Sequence, residues 1–316
     1  MAQHHPPLIS LQQYLQVGLP RITVLEQGQS TENTRSGYYW ADQIKSTRRW
    51  DDFNIDSIQQ TFRPLLEQTQ IPPEPIVNSV PLPVNSEASA RARIEGYLSP
   101  LVRRSLRAGF ANIEALAFPH RYRTVTFDAG TSAQHITGGE PDLAFFELDP
   151  YLRAENRPNR APGDIKPSFK WALSMGSSPR RGVRTEFNQA LSQVNYYMKQ
   201  HHSRYGFLLT ERELVAIQRL DGNGRLELSD AIPWTATGTP EEPVLTVTGL
   251  VVFGDAFLPA AVGNELIICS RVKLSGTESL IDLVFCTSGV TKDFCMVFFF
   301  SLRLYDSIIY EIIFYY

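Results

Sequence analysis

The sequence is poor in cysteine, and none of its cysteines has the spacing of a zinc site. The three residues are Cys269, Cys286 and Cys295, with no Cys-x-x-Cys pair among them, which argues against both a cysteine-based zinc site and a disulfide scaffold. The six histidines show no HExxH or HxxxH spacing. The sequence therefore predicts no zinc centre.

Several other functional signatures are also missing. There is no GxxxxGK[ST] loop, no GxSxG elbow and no GxGxxG after a predicted strand, so the sequence does not support phosphate-loop, serine-hydrolase or dinucleotide chemistry. No run of 18 uncharged apolar residues occurs, so a membrane span is not expected. The start MAQHHPPLIS lacks a basic stretch followed by an apolar run. This favours an intracellular protein.

The charge is almost balanced over the whole chain but not locally. The formal net charge is -3, which gives no general attraction to nucleic acid. Residues 151–184 carry eight basic and two acidic side chains, a local net charge of +6. Such a segment is either a surface for a polyanion or a solvated, flexible loop with basic side chains.

Composition divides the chain into three regions. Residues 1–83 are punctuated by prolines and are expected to be weakly ordered, with one short helix at 56–67 and a proline-rich linker at 72–83. Residues 84–248 have the patterns of a folded domain. Residues 249–316 form an apolar tail of different composition, which is either an additional β/α layer or the translation of a wrong frame or a retained intron.

The central region alternates between helical and strand-like patterns. A helix that begins near Glu87 should end near Gly109 and be kinked or split by Pro100. A second helix, 185–202, has apolar residues at i, i+4, i+7 and i+11, and Thr185 is its predicted cap. Strands are predicted at 113–118, 122–127, 143–148, 163–166 and 205–210, with a β-hairpin at 214–229 around Asp-Gly-Asn-Gly.

Two acidic motifs fall on neighbouring predicted strands. The first reads GGEPDLAFFEL and contains Asp142; the second reads GDIKPSFKW and contains Asp164 and Lys166, with Asp164 twenty-two residues after Asp142. With this order of elements, the chain resembles the PD-(D/E)XK nuclease superfamily. Over residues 85–235 it is similar to a group of largely uncharacterised fungal proteins with that fold. The resemblance implies an α/β (α+β) fold with a restriction-endonuclease-like αβββαβ core, in which helices flank a mixed central sheet and a β-hairpin is added.

The resemblance also implies a metal site and a catalytic lysine. Asp142, Asp164 and the backbone carbonyl of Ile165 would hold the ion. Hard oxygen ligands suit Mg²⁺ or Mn²⁺ better than zinc. Lys166 lies two residues after Asp164, which on a strand places both side chains on one face. Its ammonium group would orient the attacking water or stabilise a phosphate oxygen.

Two further candidates come from the helices. The superfamily often uses an acid from its first helix: Glu95 is the candidate here and Glu87 the alternative, although a surface ion pair of Glu95 with nearby arginines is an equal alternative. Gln193 and Tyr197 have the Gln-x-x-x-Tyr spacing seen in the RecB-like branch, which adds Gln193 to the catalytic candidates. The alternative is a polar flank with a half-buried tyrosine.

Nucleic-acid contacts are predicted mainly from the basic segment. The candidates are Lys170, Arg180, Arg181, Arg184 and Tyr197. Phe169 and Trp171 either stack on bases of a single strand or pack into the core. The expected function is metal-dependent hydrolysis of DNA in an intracellular, possibly nuclear, setting. The alternative is a non-catalytic module that binds nucleic acid or a protein, and the sequence leaves the oligomeric state open.

Overall fold

The computed structural model describes most of the first 249 residues. The described ranges are 7–25, 30–74, 81–113, 115–116, 124–148, 151, 153–249, 266–270 and 283–287. The chain divides into two compact units, 1–259 and 260–316. All candidate site residues lie in the first unit.

The N-terminal residues contribute short elements to the first unit. These are β1 (Ile9–Ser10), α1 (Leu11–Leu15), β2 (Ser46–Arg49), α2 (Ile55–Gln68) and β3 (Gln70–Ile71). The sequence predicts weak order for residues 1–83, whereas Leu11 and Leu65 are fully buried in one core cluster. Both helices are capped, because Ser10 Oγ accepts from Gln13 N and Asn54 Oδ1 accepts from Ser57 N. Despite its prolines, this region therefore contains amphipathic helices that pack on the main domain.

The remaining elements of the first unit follow in an alternating order. They are α3 (Glu87–Ile113), β4 (Val125–Ala129), β5 (Leu143–Glu147), β6 (Gly163–Ile165), α4 (Arg181–Gln200), β7 (Tyr205–Leu209), β8 (Glu213–Arg219), β9 (Arg225–Leu228) and β10 (Ile232–Pro233). The strands assemble in the order β2-β9-β8-β7-β6-β5-β4, and β10 pairs with β8.

The sheet is mixed, and helices cover both of its faces. Strands β6 and β7 are parallel and are joined through α4, whereas β5 is antiparallel to both β4 and β6. Alternate residues of β7 enter different cores: Phe207 and Leu209 join the cluster of α3, and Leu208 joins the cluster of α4. The prediction of a mixed α/β fold with a mixed central sheet flanked by helices is confirmed.

Element boundaries depart from the sequence-based prediction in three places. Helix α3 runs without interruption through Pro100, because buried residues on both sides of it, such as Leu98 and Val102, hold one helix against the core. Helix α4 begins at Arg181, and Thr185 lies inside it, where its Oγ1 donates to Arg181 O over 3.0 Å rather than capping. Of the predicted strand 113–118, Ile113 ends α3, and residues 114, 117 and 118 lie outside the described residues.

The second unit is described only by two strands. Strands β11 (Leu266–Ser270) and β12 (Leu283–Thr287) pair antiparallel, with Leu266 opposite Thr287. Among the described residues of the whole chain, no helix has the length and apolar character needed to cross a membrane.

Candidate active site

The two predicted carboxylates meet at the ends of adjacent strands. Asp142 immediately precedes β5, and Asp164 is the middle residue of β6. The pairing of Leu143 with Gly163 aligns these strand ends, and Asp142 Oδ2 accepts a hydrogen bond of 2.8 Å from Ile165 N. Both carboxylates are buried, with side-chain exposures of 8% for Asp142 and 2% for Asp164.

Two cations neutralise this pair. Lys166 is buried, and its Nζ lies 2.7 Å from Asp164 Oδ2. Arg91, on the first turns of α3, forms an ion pair with Asp142 Oδ1. The sequence-based prediction places Lys166 here but misses Arg91. The available signal was its position four residues after Glu87, which puts the two side chains on one face of the helix.

Burial and mutual repulsion shift the pKa values of the carboxylates. Burial, helped by the negative charge of Asp164, raises the pKa of Asp142 to about 7, and Arg91 opposes this shift. Burial also raises the pKa of Asp164, with Lys166 acting in the opposite direction. For Lys166, burial lowers the pKa, but the charges of Asp164 and Glu87 outweigh it and raise the pKa overall. Like charges in a low-dielectric environment produce such shifts, which cluster at functional sites.

Helix α4 supplies an amide to the same cluster. Gln193 Nε2 donates to Asp164 Oδ1 over 3.1 Å and to Tyr197 Oη over 2.9 Å. Asp142, Asp164, Lys166 and Gln193 together are called the carboxylate site below. Tyr197 belongs beside this site as a hydrogen-bond partner. Its prediction as a nucleic-acid contact does not fit the structure, because only 3% of the residue is exposed.

The first-helix acid that reaches the site is Glu87, not the preferred candidate Glu95. Glu87 Oε1 lies 3.7 Å from Lys166 Nζ and 3.2 Å from Lys170 Nζ. Burial raises the pKa of Glu95, with Arg91 lowering it, and no ion pair of the described residues joins Glu95 to Lys166. The first turn of α3 contacts the site, and Glu95 lies about two turns further along the helix axis, too far away to reach Lys166.

The predicted nucleic-acid contacts of the basic segment differ in how accessible they are to a ligand. Lys170 is paired with Glu87 and its side chain is only 16% exposed, so it is poorly placed to bind a phosphate. Arg180, Arg181 and Arg184 are exposed around the start of α4, and Arg184 donates to Ser178 O. These three arginines remain predicted nucleic-acid contacts.

The two aromatic residues of the basic segment are part of the core. Trp171 is fully buried and stacks on Phe187, with ring centroids 5.7 Å apart. Phe169 is partly buried and packs against the core cluster of α3. Base stacking by Trp171 is therefore excluded, and the core-packing alternative applies to it; Phe169 also contacts the core but keeps part of its surface exposed.

A distant N-terminal residue completes the surroundings of the carboxylate site. Tyr39 is buried, and its ring centroid lies 6.4 Å from that of Tyr197. Burial raises the pKa of Tyr39, and the charge of Asp164 adds to the shift. Asp142 lies 103 positions after Tyr39 in the sequence, so no local pattern could have linked Tyr39 to the site.

The oxygen atoms of the site fit a hard divalent cation. Apart from its ion pair with Lys166, Asp164 Oδ2 has no hydrogen-bond partner among the described residues, and neither has Gln193 Oε1. The carbonyl of Ile165 faces the same side of its strand as the N–H that Asp142 accepts. In the described part of the chain, no three His, Cys, Asp or Glu side chains form a metal-binding group. Two carboxylates completed by other oxygens and water are the usual environment of Mg²⁺.

Comparison of this chain with protein-family models, with curated proteins and with solved structures finds no match. Support for a function therefore comes from the geometry of the carboxylate site.

Proposed function

We propose that this protein is a metal-dependent nuclease of the PD-(D/E)XK type, which hydrolyses phosphodiester bonds of DNA with Mg²⁺ or Mn²⁺. The observation that carries the proposal is the convergence of Asp142, Asp164 and Lys166 at the ends of two neighbouring strands, with Asp164 and Lys166 buried at a distance of 2.7 Å. Burying two carboxylates and a lysine has a large desolvation cost, and clusters of this kind are found at functional sites.

The order of elements around the site also supports the proposal. Helix α3, strands β4, β5 and β6, helix α4 and strand β7 follow one another in the αβββαβ order of that superfamily. Strands β4, β5, β6 and β7 are consecutive neighbours in the sheet. The acids occupy β6 and the residue before β5, as the resemblance of the two motifs implies.

The proposed metal ligands are the oxygens of Asp142 and Asp164 with the carbonyl of Ile165. The bound ion would supply Lewis-acid stabilisation of the phosphate and a water of lowered pKa. Lys166 holds its proton, because its pKa is raised, and presents a fixed positive charge to the water or to a phosphate oxygen. Gln193 orients Asp164 through its hydrogen bond to Oδ1.

The substrate would be positioned by exposed arginines. Arg180, Arg181 and Arg184 lie together near the first turn of α4, where helix N–H groups add to their attraction for phosphate. Contacts of this kind hold the backbone without selecting a sequence. A DNA substrate also makes an intracellular, nuclear location part of this proposal.

One observation favours the second candidate, a non-catalytic module that binds nucleic acid or a protein. Arg91 and Lys166 already neutralise both carboxylates. In this cluster of four charged groups each carboxylate already has a cationic partner, so no metal ion is needed to compensate its charge. In that case Asp142 and Asp164 would hold the strand ends together and would not bind an ion.

The test is cleavage of supercoiled plasmid and of single-stranded DNA by the full chain with Mg²⁺ or Mn²⁺. The variants are Asp164→Ala and Lys166→Ala, and the matched control is Asp128→Asn, an acid on β4 that pairs with Arg103 outside the site. Wild type and the control should cut DNA, both site variants should lose activity, and EDTA should stop all cleavage. Circular dichroism checks that each variant is folded.

If wild type, the control and both site variants are all folded and none of them cuts DNA, the nuclease proposal is contradicted. In that event, binding of labelled DNA by the same preparations tests the module. Retained binding with no cleavage under any metal would establish the second candidate.

A further inference from the structure

Residues 33–39, called the tyrosine segment below, lie along helix α4. Asn33 N donates to Glu186 Oε2 over 2.7 Å, and Gln189 Nε2 donates to Thr34 O over 2.9 Å. Asn33 Nδ2 also donates to the backbone oxygen of Glu186 over 3.1 Å. These contacts involve backbone and buried amides, so they fix the segment on the helix.

The two tyrosines at the end of the segment face different environments. Tyr39 is buried beside Tyr197, next to the carboxylate site. Tyr38 is 52% exposed, and its ring centroid lies 5.8 Å from that of Tyr196 at an interplanar angle of 34°. Tyr196 is fixed in turn, because its hydroxyl donates to Thr137 O over 3.0 Å. The result is a supported aromatic pair with one ring open to solvent.

The aromatic pair borders the loop that carries the first acid. A Cβ atom built on Gly138 would lie 3.1 Å from the ring of Tyr38, so the loop passes directly against the pair. Gly138 has a φ of 106°, a conformation that favours glycine, and Asp142 follows four residues later. The loop GGEPD thus contacts the exposed ring at its start and carries Asp142 of the carboxylate site at its end.

We propose that Tyr38 and Tyr196 form a subsite that stacks an unpaired base, so that the preferred substrate is a single-stranded nucleic acid. The inference rests on the proposed function and names its substrate class. An aromatic face stacks on any base, and it does so only when the base is not paired within a duplex. Tyr38 supplies the face and Tyr196 supports it.

Charge in the same neighbourhood suits a polyanion. Arg35 lies three residues before Tyr38, and its ion pair with Glu186 leaves its side chain 54% exposed. Arg91, paired with Asp142, is 51% exposed. Exposed guanidinium surface beside an aromatic face is the combination that binds the backbone and bases of single strands.

The experiment measures binding by the full chain in EDTA, so that no cleavage occurs. Fluorescence anisotropy follows a labelled single strand of about 12 nucleotides, a duplex of the same sequence, and a fully abasic strand of the same length. The variants are Tyr38→Ala and Tyr38→Phe. The control is Leu8→Ala, which removes an apolar side chain that is 57% exposed and lies outside both the tyrosine segment and the basic segment.

Tyr38→Ala should weaken binding of the single strand about 5- to 150-fold, the range expected for one stacked base. Its affinities for the duplex and for the abasic strand should stay within about twofold of wild type, because neither offers an unpaired base. Tyr38→Phe keeps the ring and should bind as wild type does. Leu8→Ala should also leave all three affinities unchanged.

The possible failures separate the subsite from the proposed function. If wild type binds or cuts nucleic acid and Tyr38→Ala binds all three ligands as wild type does, the stacking subsite is wrong and the nuclease stands. An equal loss for all three ligands also overturns stacking. If wild type neither binds nor cuts any nucleic acid, the proposed function fails and the subsite fails with it.

Discussion

Gln193 and Asp164 are joined by a buried hydrogen bond that crosses from helix α4 to strand β6. The amide Nε2 donates to Asp164 Oδ1 over 3.1 Å, and the two residues are 29 positions apart in the sequence. The same nitrogen donates to Tyr197 Oη, and Gln193 Oε1 has no partner among the described residues. Since Asp164 is 1% exposed, this amide rather than bulk solvent is the hydrogen-bond donor to Oδ1, and it ties the orientation of the carboxylate to the helix.

Replacing Gln193 should therefore weaken metal binding without removing a metal ligand. We expect Gln193→Ala to reduce Mg²⁺ affinity and cleavage by about 10- to 100-fold, the usual effect of losing a group that orients a ligand. Metal affinity is measured from the rise in melting temperature with Mg²⁺ concentration. The control is Asn188→Ala on the same helix, because Asn188 makes none of the described side-chain hydrogen bonds. Equal Mg²⁺ responses in both variants would contradict this role.

Two acids on helix α3 provide a matched pair of substitutions. Glu87 contacts Lys166 and Lys170, whereas Glu95 interacts electrostatically with Arg91 and Asp128. We expect Glu87→Gln to lower the cleavage rate by about tenfold or more, because Lys166 loses part of its charge environment. Glu95→Gln should change the rate by less than about twofold. Single-turnover cleavage assays measure both, and a larger effect at Glu95 would restore it as the first-helix acid.

The parts of the site that the sequence predicts are those with short, regular spacing. Asp164 and Lys166 are two residues apart on one strand, and Gln193 and Tyr197 are one helical turn apart. In both cases secondary structure alone brings the side chains to one face. The structure brings Asp164, Lys166 and Gln193 together with Asp142. Of these predicted residues, Tyr197 is the one whose predicted role at the surface does not fit, because it is buried.

The parts that the sequence does not predict depend on long-range packing. Tyr39 reaches the site because the tyrosine segment binds α4 through Glu186 and Gln189, contacts that no local pattern specifies. For Trp171, the interpretation as a base-stacking residue is wrong. Basic residues surround it in the sequence, but in space it packs against Phe187 and the rest of a core cluster. A basic, proline-containing segment looks exposed until the sheet beneath it is known.

Burial of the N-terminal helices predicts that they stabilise the whole first unit. Leu11 is completely buried in the core cluster that also contains α3 residues, whereas Leu8 is 57% exposed. Leu11→Ala should lower the free energy of unfolding by about 2–5 kcal/mol, because it removes buried apolar surface and leaves a cavity. Leu8→Ala should change it by less than about 0.5 kcal/mol. Urea unfolding measures both, and equal stabilities would show that residues 1–83 do not support the domain.

The raised pKa of Asp142 predicts how stability depends on pH in the absence of metal. Burial and the charge of Asp164 raise this pKa from 3.8 to about 7. Between these values the folded protein keeps a proton that the unfolded chain has lost. The free energy of unfolding should therefore fall as pH rises through this window and become level above it. Asp142→Asn cannot ionise, so this contribution should vanish.

Saturating magnesium should cancel this dependence, because it binds the ionised carboxylate and displaces the proton, so that Asp142 is ionised in both the folded and the unfolded protein. Below pH 7 the apparent dissociation constant of Mg²⁺ should increase by about tenfold for each unit by which the pH falls, as expected when one proton is displaced. Urea unfolding of wild type and Asp142→Asn at pH 5, 6, 7 and 8, with and without Mg²⁺, separates the two effects. Since groups remote from the site titrate equally in both proteins, the difference between them reports Asp142 together with the charges coupled to it. A difference that stays constant with pH would show that this carboxylate is ionised throughout, and a wild-type protein that gains no stability from Mg²⁺ at pH 8 would favour the four-charge cluster without metal.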